Sequence, residues 1–294
     1  MSATTTLFPK AVIFDAYGTL FDVHSVIAAA EQMFPAQGDA LSQLWRQKQI
    51  EYTQLRTLAA PVDAPGAHYR PFWGITLDAL RFAARKLQLT LGRAAEKRLM
   101  DEYACLSAFP DVVPALRALR EEAPASPSIP SAIADSTAGN EGVSRIGLAI
   151  LSNGNPQMLD IAIKSAGMSG LFDHVLSVDA VRAYKPSPAA YALGTQAFDA
   201  QPREIVFVSS NGWDVAGAAW FGFTTFWLNR PNAPAEELGV TPDGAGDTLN
   251  DLRAFLQRLM SPEQTRNQSG SKSSSKSRST GNPGGSHTRH SPGA

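Results

Sequence analysis

A short apolar run, Ala11-Val12-Ile13-Phe14, stops at Asp15 and is followed at once by a turn containing Gly18. A uniformly apolar segment cut off by a carboxylate reads as a strand buried on both faces that delivers Asp15 to the carboxyl edge of a parallel sheet. Taken alone, such an aspartate is as well explained as a turn or helix-cap residue. The remainder of the chain separates the two readings. Further strand signals fall at 146–151, 175–178, 205–208 and 224–228, and helical periodicity occupies 112–122, 157–165, 188–197 and 214–221. Apolar strands alternating with helices predict an α/β fold on a doubly wound, Rossmann-like parallel sheet. The block 22–107 is different, with helical periodicity over 41–58 and 76–87 and no clear strand. It predicts a helical cap subdomain inserted over the sheet's carboxyl edge, between core segments 1–21 and 108–260.

Composition removes several classes of function. The chain has 294 residues, 44% of them hydrophobic, enough for a substantial core, and its net charge of −1 argues against a general nucleic-acid binder. One cysteine, Cys105, allows neither an intrachain disulfide nor a cysteine-based zinc site. No apolar run approaches the length of a membrane span, and residues 1–10 lack a basic start followed by an apolar stretch. A cytoplasmic protein with no membrane partner is expected. His24, His68, His174, His287 and His290 follow no metal-binding spacing, and neither metal nor other cofactor is expected. Two segments fall outside the alternating pattern. Residues 124–145 are rich in Pro and Ser and read as a loop insertion in the core. Residues 261–294 are Ser/Gly/Lys/Arg-rich with a net charge of +4, which leaves −5 for the rest, and read as a disordered tail.

Three more strand ends carry polar groups. Ser152-Asn153 follows the second strand and precedes a helix, where hydroxyl, amide and helix N–H groups form an anion cradle. Lys185-Pro186 precedes a proline-started helix, so the ammonium is positioned at the sheet edge, near enough to Asp15 to hold it ionised. Ser209-Ser210-Asn211-Gly212-Trp213-Asp214 follows the fourth strand. Each is ordinary turn chemistry by itself; four at one sheet edge point to a catalytic site.

These four segments resemble the motifs of the haloacid dehalogenase superfamily. Phe14 to Asp22, Leu44-Trp45-Arg46-Gln47-Lys48-Gln49, Lys185-Pro186 with Tyr191, and Ser209 to Asp214 resemble, more narrowly, the type II L-2-haloacid dehalogenases, over about residues 8–255. Phosphatases of the superfamily carry an acid two residues after the nucleophile and another in the fourth motif, where it helps hold Mg²⁺. This chain has Tyr17 and Ser209-Ser210-Asn211 there, a poor set for a hard cation and for a phosphoryl group. A halide leaves without protonation, so neither acid is needed.

The resemblance implies hydrolytic dehalogenation of short (S)-2-haloalkanoic acids to (R)-2-hydroxy acids through an aspartyl ester on Asp15. A phosphatase on a small phosphate monoester, or a catalytically silent scaffold of the same fold, is the alternative. A carboxylate of ordinary pKa is ionised at neutral pH and needs no base to attack. By the same resemblance Thr19 and Lys185 orient Asp15, and Asp214, held by Ser209 and Asn211, is the base for the hydrolytic water or the partner of Lys185. Arg46 and Asn153 are expected to stabilise the departing halide or orient the substrate, and Ser152 with the backbone of Ala16 and Tyr17 to bind the substrate carboxylate. Tyr191 and Trp213 are expected at the substrate too, with Tyr17, Trp213, Phe72 and Trp73 as an apolar wall, although aromatic core packing explains Phe72 and Trp73 equally well. A homodimer is implied. The partners are thus a 2-haloacid, a released halide and a second copy of the chain.

Overall fold

Alternate residues of the central strands face opposite ways, and each set finds its own core. Val12 and Phe14 lie in one buried cluster with Leu148, Ile150, Val206 and Val208; Ala11 and Ile13 lie in another with Leu151, Ile205 and Phe207. A sheet covered on both faces needs helices on both sides. The computed structural model describes residues 8–121 and 145–261. Among them, strands β1 (Ala11–Phe14), β2 (Gly147–Ser152), β3 (His174–Ser177), β4 (Ile205–Ser209), β5 (Thr224–Leu228) and β6 (Gly244–Gly246) form one sheet in the order β3-β2-β1-β4-β5-β6. All its neighbouring pairs are parallel. This is the doubly wound arrangement, and the strand order reverses between β1 and β4. Ligand sites of such sheets lie in the crevice at that reversal.

Helices α5 (Val112–Glu121), α6 (Pro156–Ser165) and α9 (Leu249–Met260) pack on the first face through Leu116, Leu159, Leu252 and Phe255. Helices α7 (Pro188–Phe198) and α8 (Gly212–Phe221) cover the second, where Tyr191 meets the Phe207 ring edge-on at 5.6 Å. Local sequence sets their ends. Pro156 and Pro188 open α6 and α7. Thr248 and Asp251 form a reciprocal capping box on α9.

Helices α1 (Ile27–Met33), α2 (Gly38–Leu58), α3 (Phe72–Lys86) and α4 (Arg93–Ala104) lie between β1 and α5 in sequence and over the carboxyl ends of the strands in space. The chain enters and leaves this layer through one crossing. Phe21 bridges Ala108, Asp22 N–H donates to Ser107 O at 2.8 Å, and Phe109 N–H donates to Leu20 O at 3.1 Å. Across the crevice the layer is fastened again. Tyr184 N–H donates to Thr57 Oγ1 at 3.0 Å, Trp73 N–H to Asn155 Oδ1 at 3.1 Å, and the Tyr69 hydroxyl to Asp179.

The strands and helices expected from periodicity are present, with ends shifted by at most two residues among the core helices and by up to four in the cap. Four elements were not anticipated: α1, α4, β6 and α9. The segments expected at 124–145 and 261–294 lie, apart from Arg145 and Ser261, outside the described residues. Among the described residues no helix is long and apolar enough to cross a membrane.

Candidate active site

Asp15 directly follows β1 and is only 5% exposed. Its N–H still donates to Val208 O at 2.9 Å, which extends the ladder to β4 and fixes where the carboxylate stands. The chain then turns through Gly18, whose φ of +93° lies in the region an L side chain avoids. The turn brings Thr19 back over Asp15, and Thr19 Oγ1 donates to Asp15 Oδ2 at 2.9 Å while accepting from Ser210 N–H at 2.8 Å. Asn211 Nδ2 donates to the same Oδ2 at 2.9 Å. Lys185 Nζ donates to Oδ1 at 2.8 Å. Three donors from three separate segments leave the carboxylate little rotational freedom.

Lys185 arrives on the loop between β3 and α7 and is 1% exposed. Its ammonium has three N–H groups, and three acceptors meet it: Asp15 Oδ1, Asp214 Oδ2 at 2.6 Å and Leu151 O at 3.2 Å. A buried cation with all its donors paired avoids the worst of the desolvation penalty. Burial pulls the Lys185 pKa down, but the charges of Asp15 and Asp214 outweigh it, and the pKa stands above the ordinary lysine value. Asp214, in the first turn of α8, is fully buried. Burial raises its carboxyl pKa, opposed by Lys185. Its other oxygen, Oδ1, accepts from the Tyr191 hydroxyl at 2.7 Å.

Two expectations are corrected here. The side chains of Ser209 and Asn211 do not hold the Asp214 carboxylate; only the backbone of Asn211 meets that residue, its carbonyl accepting from Asp214 N–H at 3.0 Å. Ser209 Oγ accepts from Asn211 N–H at 3.1 Å, and the Asn211 amide is turned to Asp15 and to Tyr17 O, so both serve Asp15. Tyr191 does not reach the substrate side either. It stands behind Asp214 in the core of the second sheet face, because a residue of α7 sits under the strands rather than beyond their ends.

Above Asp15 is a small cavity of about 10 Å³, the scale of a single water. Asp15, Tyr17, Arg46, Phe72, Ser152, Asn153, Asn211 and Trp213 line it, joined by Ile50 and Thr53. Arg46, Ile50 and Thr53 are spaced by four and three residues along α2, one face of one helix. Sequence reasoning took Arg46 and passed over the other two, although that spacing was the available signal. Arg46 Nη2 donates to Tyr17 O at 2.9 Å and to Asn211 Oδ1 at 3.2 Å, so the cap cation is docked onto the core. Asn153 Oδ1 accepts from Lys185 N–H at 3.0 Å, which leaves its NH₂ as a donor. Ser152 Oγ accepts from Gly154 N–H at 3.0 Å and keeps its own proton to donate. Among the described residues the N–H groups of Ala16 and Tyr17 meet no acceptor. Trp73, expected in the wall beside Phe72, is 36% exposed and outside the cavity.

An aspartate held by a threonine, an asparagine and a lysine at the crevice of a doubly wound sheet defines a hydrolase of the haloacid dehalogenase type, and the chain belongs to the haloacid dehalogenase-like hydrolases, whose family profile matches residues 9–222. Within that class its relatives are narrower in kind. It is 43% identical over 248 residues to a protein from Pseudomonas sp. (strain YL) named (S)-2-haloacid dehalogenase, covering 84% of this chain and 93% of that one. It is 41% identical to the haloacetate dehalogenase H-2 of Moraxella sp. (strain B), over 80% of this chain and 92% of that one. The crystal structure of the L-2-haloacid dehalogenase RSc1362 superposes with a TM-score of 0.75 at 58% identity, over 85% of this chain and 99% of that one. The L-2-haloacid dehalogenase from Xanthobacter autotrophicus, in a structure with chloropropionic acid covalently bound, has a TM-score of 0.70 at 34% identity, over 85% and 99%.

Proposed function

We propose that the protein is a hydrolase acting on carbon–halide bonds, converting short (S)-2-haloalkanoic acids to (R)-2-hydroxy acids. The observation that carries this reading is the state of Asp15: a carboxylate fixed by three donors, beneath a cavity that also holds a guanidinium and an amide. An oxygen of Asp15 attacks Cα from the side opposite the halogen. The C–X electron pair leaves with the halide, toward Arg46 and the Asn153 NH₂, and an ester forms on Asp15. Water then adds to the ester carbonyl carbon, the bond to the alkyl oxygen breaks, and Asp15 is restored with one proton released overall. Inversion at Cα in the first step sets the R product, since the second step does not touch that carbon. The free N–H groups of Ala16 and Tyr17 and the Ser152 hydroxyl are donors suited to the substrate carboxylate. Tyr17, Phe72 and Trp213 supply the apolar wall.

Asp214 has two roles in this reading. It balances and orients Lys185 at 2.6 Å, and it is the base this reading assigns to the hydrolytic water. Tyr191 and Ser209 support Asp214 and Asn211 from behind.

The residues do not fit Mg²⁺. Lys185 pairs with one oxygen of Asp15 at 2.8 Å and with Asp214 at 2.6 Å, and the other Asp15 oxygen accepts from the Asn211 amide at 2.9 Å, so a cation beside Asp15 would meet N–H donors in place of a second acid. Tyr17 supplies no carboxylate, and no step is routed through a metal. In domain terms, 22–107 is the cap and 1–21 with 108–260 the core, with the Phe21–Ala108 bridge as the junction. The reading includes a homodimer, favoured by the exposed Leu55, Leu58 and Val62 on the cap. It includes a cytoplasmic setting as well, consistent with a single cysteine.

The direct test is halide release from chloroacetate and from each 2-chloropropionate enantiomer with EDTA present. Release from chloroacetate and the S enantiomer, undiminished by EDTA, is expected. Turnover of a phosphate monoester that needs Mg²⁺, with no halide release, would replace this reading by the phosphatase one.

A further inference from the structure

A tryptophan outside the cavity above Asp15 is tied to the donors that hold the nucleophile. Trp227 lies on β5 in register with Ser209 of β4, beside the point where β4 ends and the chain turns toward α8. It lines a separate small cavity of about 20 Å³ with Val215, Ala216 and Val240. Packing there asks only for bulk, which Phe or Leu would supply. Tryptophan brings one N–H donor as well. That donor turns to the backbone of the site: Trp227 Nε1 donates to Ser210 O at 3.2 Å.

Ser210 stands between the two groups that share Asp15 Oδ2. On one side its N–H donates to Thr19 Oγ1 at 2.8 Å, and the Thr19 hydroxyl directs its own proton to Asp15 Oδ2 at 2.9 Å. On the other side Asn211 Nδ2 donates to the same oxygen at 2.9 Å. The peptide joining Ser210 to Asn211 is pinned at both polar ends. Its N–H donates to Ser209 Oγ at 3.1 Å, and its carbonyl accepts from Trp227. A peptide unit is planar, so bonds on its two opposite edges fix the rotation of the whole unit. The Ser210 side chain adds nothing to this, since its buried Oγ has no hydrogen-bond partner among the described residues.

We propose that Trp227 is a positioning residue whose indole N–H fixes the Ser210–Asn211 peptide and, through it, the aim of Thr19 and Asn211 at Asp15. Trp227 lines no part of the cavity above Asp15 and acts through Ser210. The inference rests on the dehalogenase reading above. It concerns the attack on Cα, which needs an Asp15 oxygen held opposite the halogen.

The test removes the N–H in two ways. Trp227→Phe keeps an aromatic ring but loses volume as well as the donor. Replacement of Trp227 by 3-benzothienylalanine, introduced by stop-codon suppression, loses the donor at nearly the same shape, and it decides the matter if Trp227→Phe does not fold. Val240→Ala is the control, because it thins the packing around the same small cavity and leaves the N–H in place. In single turnovers of (S)-2-chloropropionate, both Trp227 replacements should release chloride about tenfold more slowly, which is about 1.4 kcal/mol in the barrier. KM should hardly move. The melting temperature should fall in Trp227→Phe and Val240→Ala and stay near the wild-type value with 3-benzothienylalanine. Val240→Ala should release chloride at the wild-type rate. Wild-type chloride release with 3-benzothienylalanine at position 227, or an equal slowing in Val240→Ala, would reduce Trp227 to a packing residue. A wild-type protein that releases no chloride would instead remove the dehalogenase reading, so the two failures are distinguishable.

Discussion

At the scale of single residues the account turns on Lys185. With its charge removed in Lys185→Met, Asp15 and Asp214 face each other without a counter-ion, and like charges in a desolvated site raise one carboxyl pKa. One unit is about 1.4 kcal/mol, and losing the hydrogen bond that orients Asp15 adds a similar amount, so turnover should fall on the order of a hundredfold or more. Near-wild-type turnover would contradict this. The pH dependence has a definite sign. The folded-state pKa of Lys185 lies above its ordinary 10.5, so its contribution is intact below pH 10.5 and is lost only as pH rises through the folded value. Activity should therefore persist to pH 10.5, and an alkaline fall in kcat set well below it would be inconsistent with the buried triad. Asp214→Asn should retain a burst of halide equal to the enzyme present and then stall with the ester in place; loss of the burst itself would assign Asp214 to Lys185 alone. Asp15 and Ser152 were legible in the sequence because a strand end fixes where its next residue lies, and Lys185 and Asp214 because a proline-opened helix and a polar run after β4 mark where the chain turns at the same edge. Tyr191 was misplaced and Thr53 missed, because which side of a helix meets the crevice depends on packing angles that spacing does not encode.

At the scale of elements, α7 and α8 set the depth of the site. Gly217 of α8 faces Tyr191 closely: a Cβ there would lie 2.5 Å from the Tyr191 hydroxyl oxygen and 2.6 Å from Pro186 Cβ. Gly217→Ala should push Tyr191 off Asp214 and spread α7 from α8, lowering stability by about 1–3 kcal/mol as overpacked cores do and slowing turnover through Asp214. A thermal melt and a kcat measurement check both, and an unshifted melting temperature would mean that the helices part freely. Helix α4 was missed because only Leu99, Met100 and Tyr103 are buried along its 12 residues, a stripe too thin to announce itself. Strand β6 is Gly-Ala-Gly and exists by pairing with β5, which no local pattern reveals. Helix α9 did carry a signal, apolar residues at 249, 252, 255 and 256 behind a Thr248 cap, and was passed over behind a long polar connection.

At the scale of the whole molecule, the cavity above Asp15 has room on the scale of a single water, about 10 Å³, and the Arg46–Tyr17 contact joins the helical layer to the sheet edge beside it. The cap's other side exposes Leu58 at 83% and Val62 at 100%. If that face joins two copies, light scattering should give twice the chain mass, and Leu58→Glu with Val62→Asp should give a single chain with kcat preserved. A monomeric wild type would remove the dimer from the account. The central claim is that the ester forms on Asp15, and single turnover with excess enzyme in ¹⁸O water addresses it most directly. Water that attacks the ester carbonyl leaves its oxygen in the protein. The account predicts one ¹⁸O in the peptide carrying Asp15, an unlabelled hydroxy acid, and neither product nor label in Asp15→Asn. Label found only in the hydroxy acid would mean that water attacks Cα directly and that Asp15 is not the nucleophile.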